Sequence, residues 1–298
     1  MHGLPPRIRG FTLVEAIVAI TITGILAGIV AVFIKSPMDS FIDMRRRADL
    51  TDAADTAVRR IARDIHLALP NSVRNPADSD DQCVEFIPTK IGGRYRAAAE
   101  GGTGNGDLLD FTSVDAGFDM LWPNSALPAG VRPAAGDVVV VYNDGYLGNA
   151  YAGSNAIRID SLAEPGGTAN TTAIAFVDAV TGAPFNRKQL PAESPAWRFQ
   201  VIPSAEHVVS YACGGGTLYR HSRTLSAAWA QPADCAAMTA GATSAILAQN
   251  VSQCSLKYDP PGSGTGLSRN GILSISIEIT QSGESVRLYH QVHVDNTP

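Results

Sequence analysis

The residues with the clearest chemical potential are the four cysteines: Cys83, Cys213, Cys235 and Cys254. None belongs to a C-x-x-C pair, which argues against a zinc site and a redox dithiol. An even number of cysteines favours disulfides in an oxidising compartment, and four cysteines allow three pairings. Cys235 and Cys254 are close in sequence, and Cys83 and Cys213 each lie at one end of a predicted strand. We therefore predict the bridges Cys235–Cys254 and Cys83–Cys213.

The histidines predict no metal site. His290 and His293 are three residues apart on a predicted strand, so they face opposite sides of a sheet and cannot easily share an ion. His207 and His221 lie on facing strands of a predicted hairpin and could pair. We expect them to be ordinary surface histidines.

Other patterns argue against an enzyme. The carboxylates of Asp78, Asp80 and Asp81 would suit calcium, but their spacing matches no known loop and predicts a solvated acidic loop. There is no G-x-S-x-G, no phosphate-binding loop and no H-E-x-x-H. The formal net charge is −5 without a long basic run, which argues against a nucleic-acid partner. We predict no catalytic residue, no metal and no cofactor.

Residues 11–34 form an apolar run that contains one charged residue, Glu15. A helix of that length spans about 36 Å, enough to cross a hydrocarbon core of about 30 Å. The run is longer than the apolar part of a removable secretory signal and lacks an A-x-A-like cleavage site. It is therefore predicted to remain as a membrane helix.

The orientation of this helix follows from its flanks. Arg7 and Arg9 precede it without any acidic residue, whereas the arginines at 45–47 are interleaved with aspartates. All four cysteines lie in the body that follows. We predict a single-pass protein of the bacterial inner membrane with a cytoplasmic N-terminus and a periplasmic body.

The edge of the apolar run carries a specific motif, RGFTLVE at residues 9–15. It resembles the class III signal of type IV pilins and type II secretion pseudopilins. The resemblance implies that a membrane-embedded prepilin peptidase cuts after Gly10 and methylates the new N-terminal residue, Phe11. Glu15 would then be the fifth residue of the mature chain.

Within this resemblance Glu15 acquires an assembly role. A carboxylate at the bilayer centre costs ~2.5–3.5 kcal/mol, and one near the interface costs less. Cleavage creates a positive amine at Phe11, and a neighbouring subunit's amine can neutralise Glu15 and penalise wrong registers. Gly24 and Gly28 are four residues apart, a spacing that lets helices approach closely.

The rest of the chain predicts an α+β fold. An apolar stripe with helical spacing continues past Pro37, so we predict one long helix, kinked near Pro37 and stopped by Pro70, that packs on an antiparallel β-sheet body. Hairpins are predicted at residues 214–216 and 281–284. Predicted strands occupy residues 83–88, 107–111, 137–143, 156–160, 173–177, 197–202, 207–212, 217–221, 272–280 and 285–294. The predicted segments are a leader at 1–10, a membrane helix at 11–34, an amphipathic helix at 35–69 and a β-rich body at 70–298.

The body carries a second resemblance. Residues 52–74, 84–97 and 288–298 are similar to the MshO-type minor pilins of mannose-sensitive haemagglutinin (MSHA) pili, which share a general plan with PilW and the J-type minor pseudopilins. This implies a structural subunit that contacts other minor pilins, the major pilin and, before assembly, membrane lipid. The alternatives are a J-like subunit of a type II secretion system and a membrane-anchored periplasmic binding protein or enzyme. A plain anchor needs neither Gly10 nor Glu15.

Overall fold

The structure, a computed structural model, describes residues 10–98, 106–164, 170–178, 185–225, 230–261 and 270–298. Residues 1–50 and 51–298 fall into two compact units. The predicted leader, apart from Gly10, lies outside the described residues. The α+β class is confirmed, because a long N-terminal helix is followed by antiparallel sheets.

The first element is a single helix, α1 (Leu13–His66), which continues through Pro37. It ends before Pro70, earlier than predicted. The main chain leaves the helix to pair with a later segment: Thr89 N donates to Leu67 O, and Leu69 N donates to Ile87 O, both at 2.8 Å. This pairing, and not the proline, ends the helix.

In the described part of the body, α1 is followed by thirteen strands, one short α-helix and one turn of 3-10 helix (Asn124–Ala126). Most predicted segments are strands, but 107–111 is not, because Asp110 Oδ1 accepts a bond from Thr112 N at 2.6 Å and turns the chain. The strands at 91–94, 117–120, 243–249 and 251–259 were not predicted. The elements are β1 (Cys83–Phe86), β2 (Ile91–Arg94), β3 (Gly117–Met120), β4 (Val138–Val141), β5 (Ala156–Ala163), β6 (Thr172–Phe176), β7 (Arg198–Ile202), β8 (Val208–Gly214), β9 (Thr217–Arg223), α2 (Cys235–Thr239), β10 (Thr243–Gln249), β11 (Val251–Asp259), β12 (Asn270–Gln281) and β13 (Glu284–Asp295).

Two of the sheets are joined through the side chain of Asn75 and through a disulfide between Cys213 and Cys254. One has the order β1-β8-β9-β10 and the other β11-β12-β13, and all neighbours are antiparallel. Asn75 Nδ2 donates to Cys83 O of β1 and Leu256 O of β11 at 2.6 and 2.9 Å, and its Oδ1 accepts from Tyr258 N. The Asn75 amide thus bridges the main chains of β1 and β11, which do not pair with each other directly. Both predicted hairpins, β8–β9 and β12–β13, are confirmed.

The C-terminal part of α1 is anchored to β8 and β9 by Asp64. Its Oδ2 accepts hydrogen bonds from Tyr211 Oη at 2.8 Å and Arg220 Nε at 3.0 Å. Arg220 also holds Glu206 through two bonds of 2.8 Å, which lowers the pKa of that carboxyl. The apolar stripe of the helix is buried beside this anchor: Ala54, Ala57, Val58, Ile61 and Ile65.

The third sheet closes into a barrel. Its order is β2-β7-β4-β5-β6-β3. Its two end strands meet at a bridge between Tyr95 and Met120, and Leu121 N donates to Arg94 O at 2.9 Å. Alternate residues fill the interior, including Phe118, Phe176 and Phe199. Among the strands that the structure describes, closure leaves neither end of this sheet as a free edge.

Two of the barrel strands, β2 and β4, have sequences without the usual alternation of apolar and polar residues. β2 has the sequence IGGR, and a Cβ at Gly93 would lie 2.6 Å from Phe199 Cζ, so the ring needs a glycine there. β4 consists of four valines that are buried on both faces. Val139 and Val141 point into the barrel, whereas Val138 and Val140 join a second cluster with Leu69, Ile87 and Tyr151.

The predicted disulfide pairing is wrong. The bridges are Cys83–Cys235 and Cys213–Cys254. Cys83 lies opposite Ala212 in the β1–β8 pair, so Cys213, one residue further, points to the other face of the sheet. Cys83 therefore meets Cys235 of α2 on one face, and Cys213 meets Cys254 of β11 on the other.

We expect loss of the Cys83–Cys235 bridge to destabilise the body more than loss of Cys213–Cys254. The bridges span 152 and 41 residues, and the chain-entropy model gives a difference of about 1 kcal/mol in the free energy of unfolding. Urea denaturation of the paired Cys→Ala double variants in detergent measures it. Non-reducing peptide mapping of the unaltered protein is the control, and a Cys83–Cys213 peptide would contradict the pairing.

A buried ion-pair cluster ties β1 to β9. Glu85 is fully buried, and its two carboxylate oxygens bind Arg74 at 2.6 Å and Arg223 at 2.9 Å. The Arg74 guanidinium lies 3.6 Å from the centre of the Tyr151 ring, and Tyr151 Oη donates to Ser72 O at 2.8 Å. Burial raises the pKa of Tyr151, so its hydroxyl stays protonated. Every charge in this cluster has a partner of opposite sign.

Candidate functional site

The predicted processing site lies just before the helix. Gly10, Phe11 and Thr12 are exposed and not helical, and α1 begins at Leu13. A Cβ added at Gly10 would meet no atom within 4 Å. The Gly10–Phe11 peptide bond is thus in an open stretch of chain that a peptidase can bind in extended form.

Thr12 and Glu15 form a capping box at the start of α1. Thr12 Oγ1 accepts from Glu15 N at 3.3 Å, while Glu15 Oε2 accepts from Thr12 N at 3.1 Å. The Thr12 hydroxyl also donates to Glu15 Oε2 at 3.0 Å. These bonds satisfy main-chain donors that the first turn leaves open. Thr12 was not among the predicted site residues, although a T-x-x-E pattern before an apolar run is the sequence signal for this motif.

The capping box occupies one of the two carboxylate oxygens of Glu15. The carboxylate has a partner in its own chain, because both Thr12 bonds fall on Oε2. In the described residues Oε1 accepts no hydrogen bond, and the side chain is exposed. Glu15 can therefore cap its own helix with one oxygen and present the other to a cation from outside.

The first half of α1 presents apolar side chains in every direction. Phe11 is 78% exposed, and Ile17, Ile20, Leu26 and Phe33 are exposed as well. The hydroxyls of Thr21 and Thr23 donate to main-chain carbonyls one turn earlier, at 2.9 and 2.7 Å, so they leave no unsatisfied donor in an apolar surrounding. Of the helices in the described residues, α1 is long and apolar enough to cross a membrane.

Gly24 and Gly28 lie on this exposed helix, one turn apart. A Cβ at either position would meet no atom within 4 Å. Neither glycine is needed for packing within the described chain. The small residues leave a shallow strip on which a second helix can lie closely.

The histidine pairs do not form a site. His207 and His221 are buried, not on the surface as predicted, and they do not contact each other: His207 Nδ1 accepts from Leu225 N, and His221 Nδ1 bonds to Ser244 Oγ, both at 2.8 Å. Burial lowers the pKa of both, so both stay neutral at pH 7. His290 and His293 are three residues apart on β13 and therefore lie on opposite faces of it, with His290 on the face next to α1.

The aspartates of residues 78–81 accept hydrogen bonds from their own loop and from β11. Asp78 Oδ1 accepts from Asp80 N at 3.0 Å, and Asp80 Oδ1 accepts from Gln82 N at 2.8 Å. Asp81 accepts from the Ser255 hydroxyl at 2.6 Å. Over the ranges that the structure describes, no group of three or more His, Cys, Asp or Glu residues could hold a metal ion.

Comparison with known proteins identifies the N-terminal segment. The family model for the prokaryotic N-terminal methylation motif matches residues 5–31. The match covers the Gly10–Phe11 junction, the capping box and both helix glycines. The chain therefore carries a type IV pilin-like prepilin signal of the kind processed by prepilin peptidase. Searches of curated proteins and of solved structures found no match.

Proposed function

We propose that the protein is a structural minor pilin of an MSHA-like type IV pilus and has no enzymatic activity. Prepilin peptidase would remove residues 1–10 and methylate Phe11, and residues 11–34 would hold the subunit in the inner membrane before assembly. The observation that carries the proposal is the methylation motif on an apolar helix whose surface is unpartnered in the described chain. The body would lie in the periplasm, where two disulfides can form.

The proposed role is to help start the pilus together with other minor pilins and the major pilin. The apolar helix has no partner in the described chain; it carries the Glu15 carboxylate in its first turn and two small residues, Gly24 and Gly28, further along. Such a helix is suited to packing among similar helices. The β-rich body is then the part that distinguishes this subunit from its partners. Reaction chemistry has no part in this role.

Processing provides the direct test. We expect Gly10→Arg to leave the precursor uncut and Gly10→Ala to be cut in part. The reason is that prepilin peptidases, which process the pilins that this chain resembles, require a small residue before the cleaved bond. Both substitutions point into open space, so neither should disturb the fold. Mass spectrometry of the mature N-terminus, in cells that carry the peptidase, gives the result.

Normal cleavage of the Gly10→Arg precursor would overturn the processing assignment. The subunit role is tested separately, by antibody detection of the protein in sheared pili and by piliation of a deletion strain. Normal pili in that strain, with the protein absent from them, would contradict the proposed role. Its recovery with a secretion complex would instead favour a J-like pseudopilin.

A further inference from the structure

β13 is a free edge in the described part of the body. Among those strands it pairs only with β12. Gln281 pairs with Glu284 across a two-residue turn, so the residues that bond to β12 alternate from Glu284 onward. Arg287, Tyr289 and Gln291 therefore turn their main-chain N–H and C=O groups outward. They can pair with another strand.

This edge also lacks the usual protection against pairing. β13 is 12 residues long, contains no proline, and keeps an unbroken register with β12. The edge strand β10 differs, because its register shifts between Ile246 and Ala248. Natural proteins commonly block free edges with bulges or prolines. A long and regular edge that is left open suggests a partner.

A groove runs beside the β13 edge. It has a volume of about 670 Å³ and lies between the end of α1, from Asp55 to His66 together with the following Leu67, and His290 of β13. Val58, Ala62 and Leu67 supply apolar surface. The side chains of an added strand would alternate, and every second one would point into this groove.

The charge of the groove indicates the chemistry of its occupant. Arg59 is offset by Asp55 at 2.6 Å. Arg63, His66 and His290 form no ion pair within the residues that the structure describes, and all three line the groove. The groove therefore carries an uncompensated positive charge at Arg63, and the two histidines beside it supply ring nitrogens that can form hydrogen bonds. Carboxylates at alternate positions of an added strand would complement it.

We propose that β13 receives an extended, acidic segment of another pilus subunit as an added strand, with its carboxylates facing Arg63, His66 and His290. The main-chain bonds would provide the affinity, and the groove would select the acidic side chains. This inference deepens the proposed function and rests on it. It names the surface through which the body recognises its partner.

Photo-cross-linking in the assembled system tests the proposal. The full-length protein carries p-benzoylphenylalanine in place of Leu67, which is half exposed in the groove. We expect a cross-link to an extended segment of another pilin subunit with Asp or Glu at alternating positions. Arg63→Glu should reduce its yield about tenfold or more through like-charge repulsion. Lys257→Glu, a charge reversal outside the groove, should leave it unchanged.

A second pair of variants tests the strand edge itself. Gln291→Pro removes one outward N–H but no main-chain bond to β12. The side-chain bond from Gln291 Nε2 to Ser274 Oγ is lost in this variant and equally in its matched control, Gln291→Ala. We expect the proline variant alone to lose the cross-link, while mapping of both disulfides shows that the body has folded. A cross-link to a helix, to lipid or to a second copy of this chain, or one insensitive to Arg63→Glu, would overturn the inference.

The two proposals fail in distinguishable ways. If the proposed function is wrong, the Gly10–Phe11 bond stays uncut or the protein is absent from pili that form without it. If only the strand addition is wrong, cleavage and incorporation remain normal and no acidic segment is cross-linked at the groove.

Discussion

Glu15→Ala is expected to abolish the start of filament assembly while leaving cleavage and membrane insertion intact. Removal of a charge favours partitioning into the membrane, so insertion should not suffer. Assembly should fail because the amine of a neighbouring Phe11 loses its counter-charge in an apolar setting. Recovery of partner subunits with the variant in detergent, together with pilus counts, measures the effect.

The capping box makes this experiment sharper. Glu15→Gln keeps an oxygen that can accept from Thr12 N, but it has no charge, whereas Thr12→Val keeps the charge and loses the hydroxyl. We expect the glutamine variant to fail in assembly. The valine variant should assemble, with a helix start weakened by about 1 kcal/mol. Normal piliation with Glu15→Gln would show that the residue acts only as a cap.

Glu85→Ala should strongly destabilise the body. It removes a carboxylate that binds both Arg74 and Arg223 and leaves these partly buried charges without that counter-charge. Breaking a buried pair in this way costs about 3–5 kcal/mol in the free energy of unfolding. Urea denaturation of the full-length protein in detergent measures the difference.

A surface ion pair provides the control for Glu85. Lys257 and Asp259 are 3.3 Å apart, with the lysine side chain 62% exposed, so Lys257→Ala should cost no more than about 1 kcal/mol. Similar losses for the two variants would contradict the structural role of the buried cluster. Glu85→Gln should lie between them, because the amide oxygen can still accept a hydrogen bond.

The sequence predicts those features that depend on local pattern. The long helix follows from its apolar stripe, and the hairpins follow from their glycine-containing turns. The cysteine pairing is not local, because it depends on which face of β1 and β8 each sulfur occupies. Nothing near Cys83 in the chain reveals that Ala212, and not Cys213, lies opposite it.

The barrel shows the same limit at a larger scale. Its closure depends on the bridge between Tyr95 and Met120, which no local sequence pattern predicts. Tyr95 follows β2 and Met120 ends β3, and neither strand was predicted from the sequence. The IGGR strand lacks the residues that favour strands, because Phe199 needs the space that the glycines leave. At the candidate site, Gly10, Glu15 and the helix glycines are predictions from the sequence, whereas the role of Thr12 follows from its hydrogen bonds.

The position of the barrel in the chain has a consequence for how the fold forms and varies. β1 and β8 are neighbours in one sheet, yet the strands from β2 to β7 lie between them in sequence. The barrel is thus an insertion within what would otherwise be a simple antiparallel pair. Loop closure costs only about 0.6 kcal/mol for each doubling of loop length, so the β1–β8 pair can tolerate insertions of very different size. During folding, the barrel and the local hairpins can form early, whereas the β1–β8 pair, with its long sequence separation, forms late.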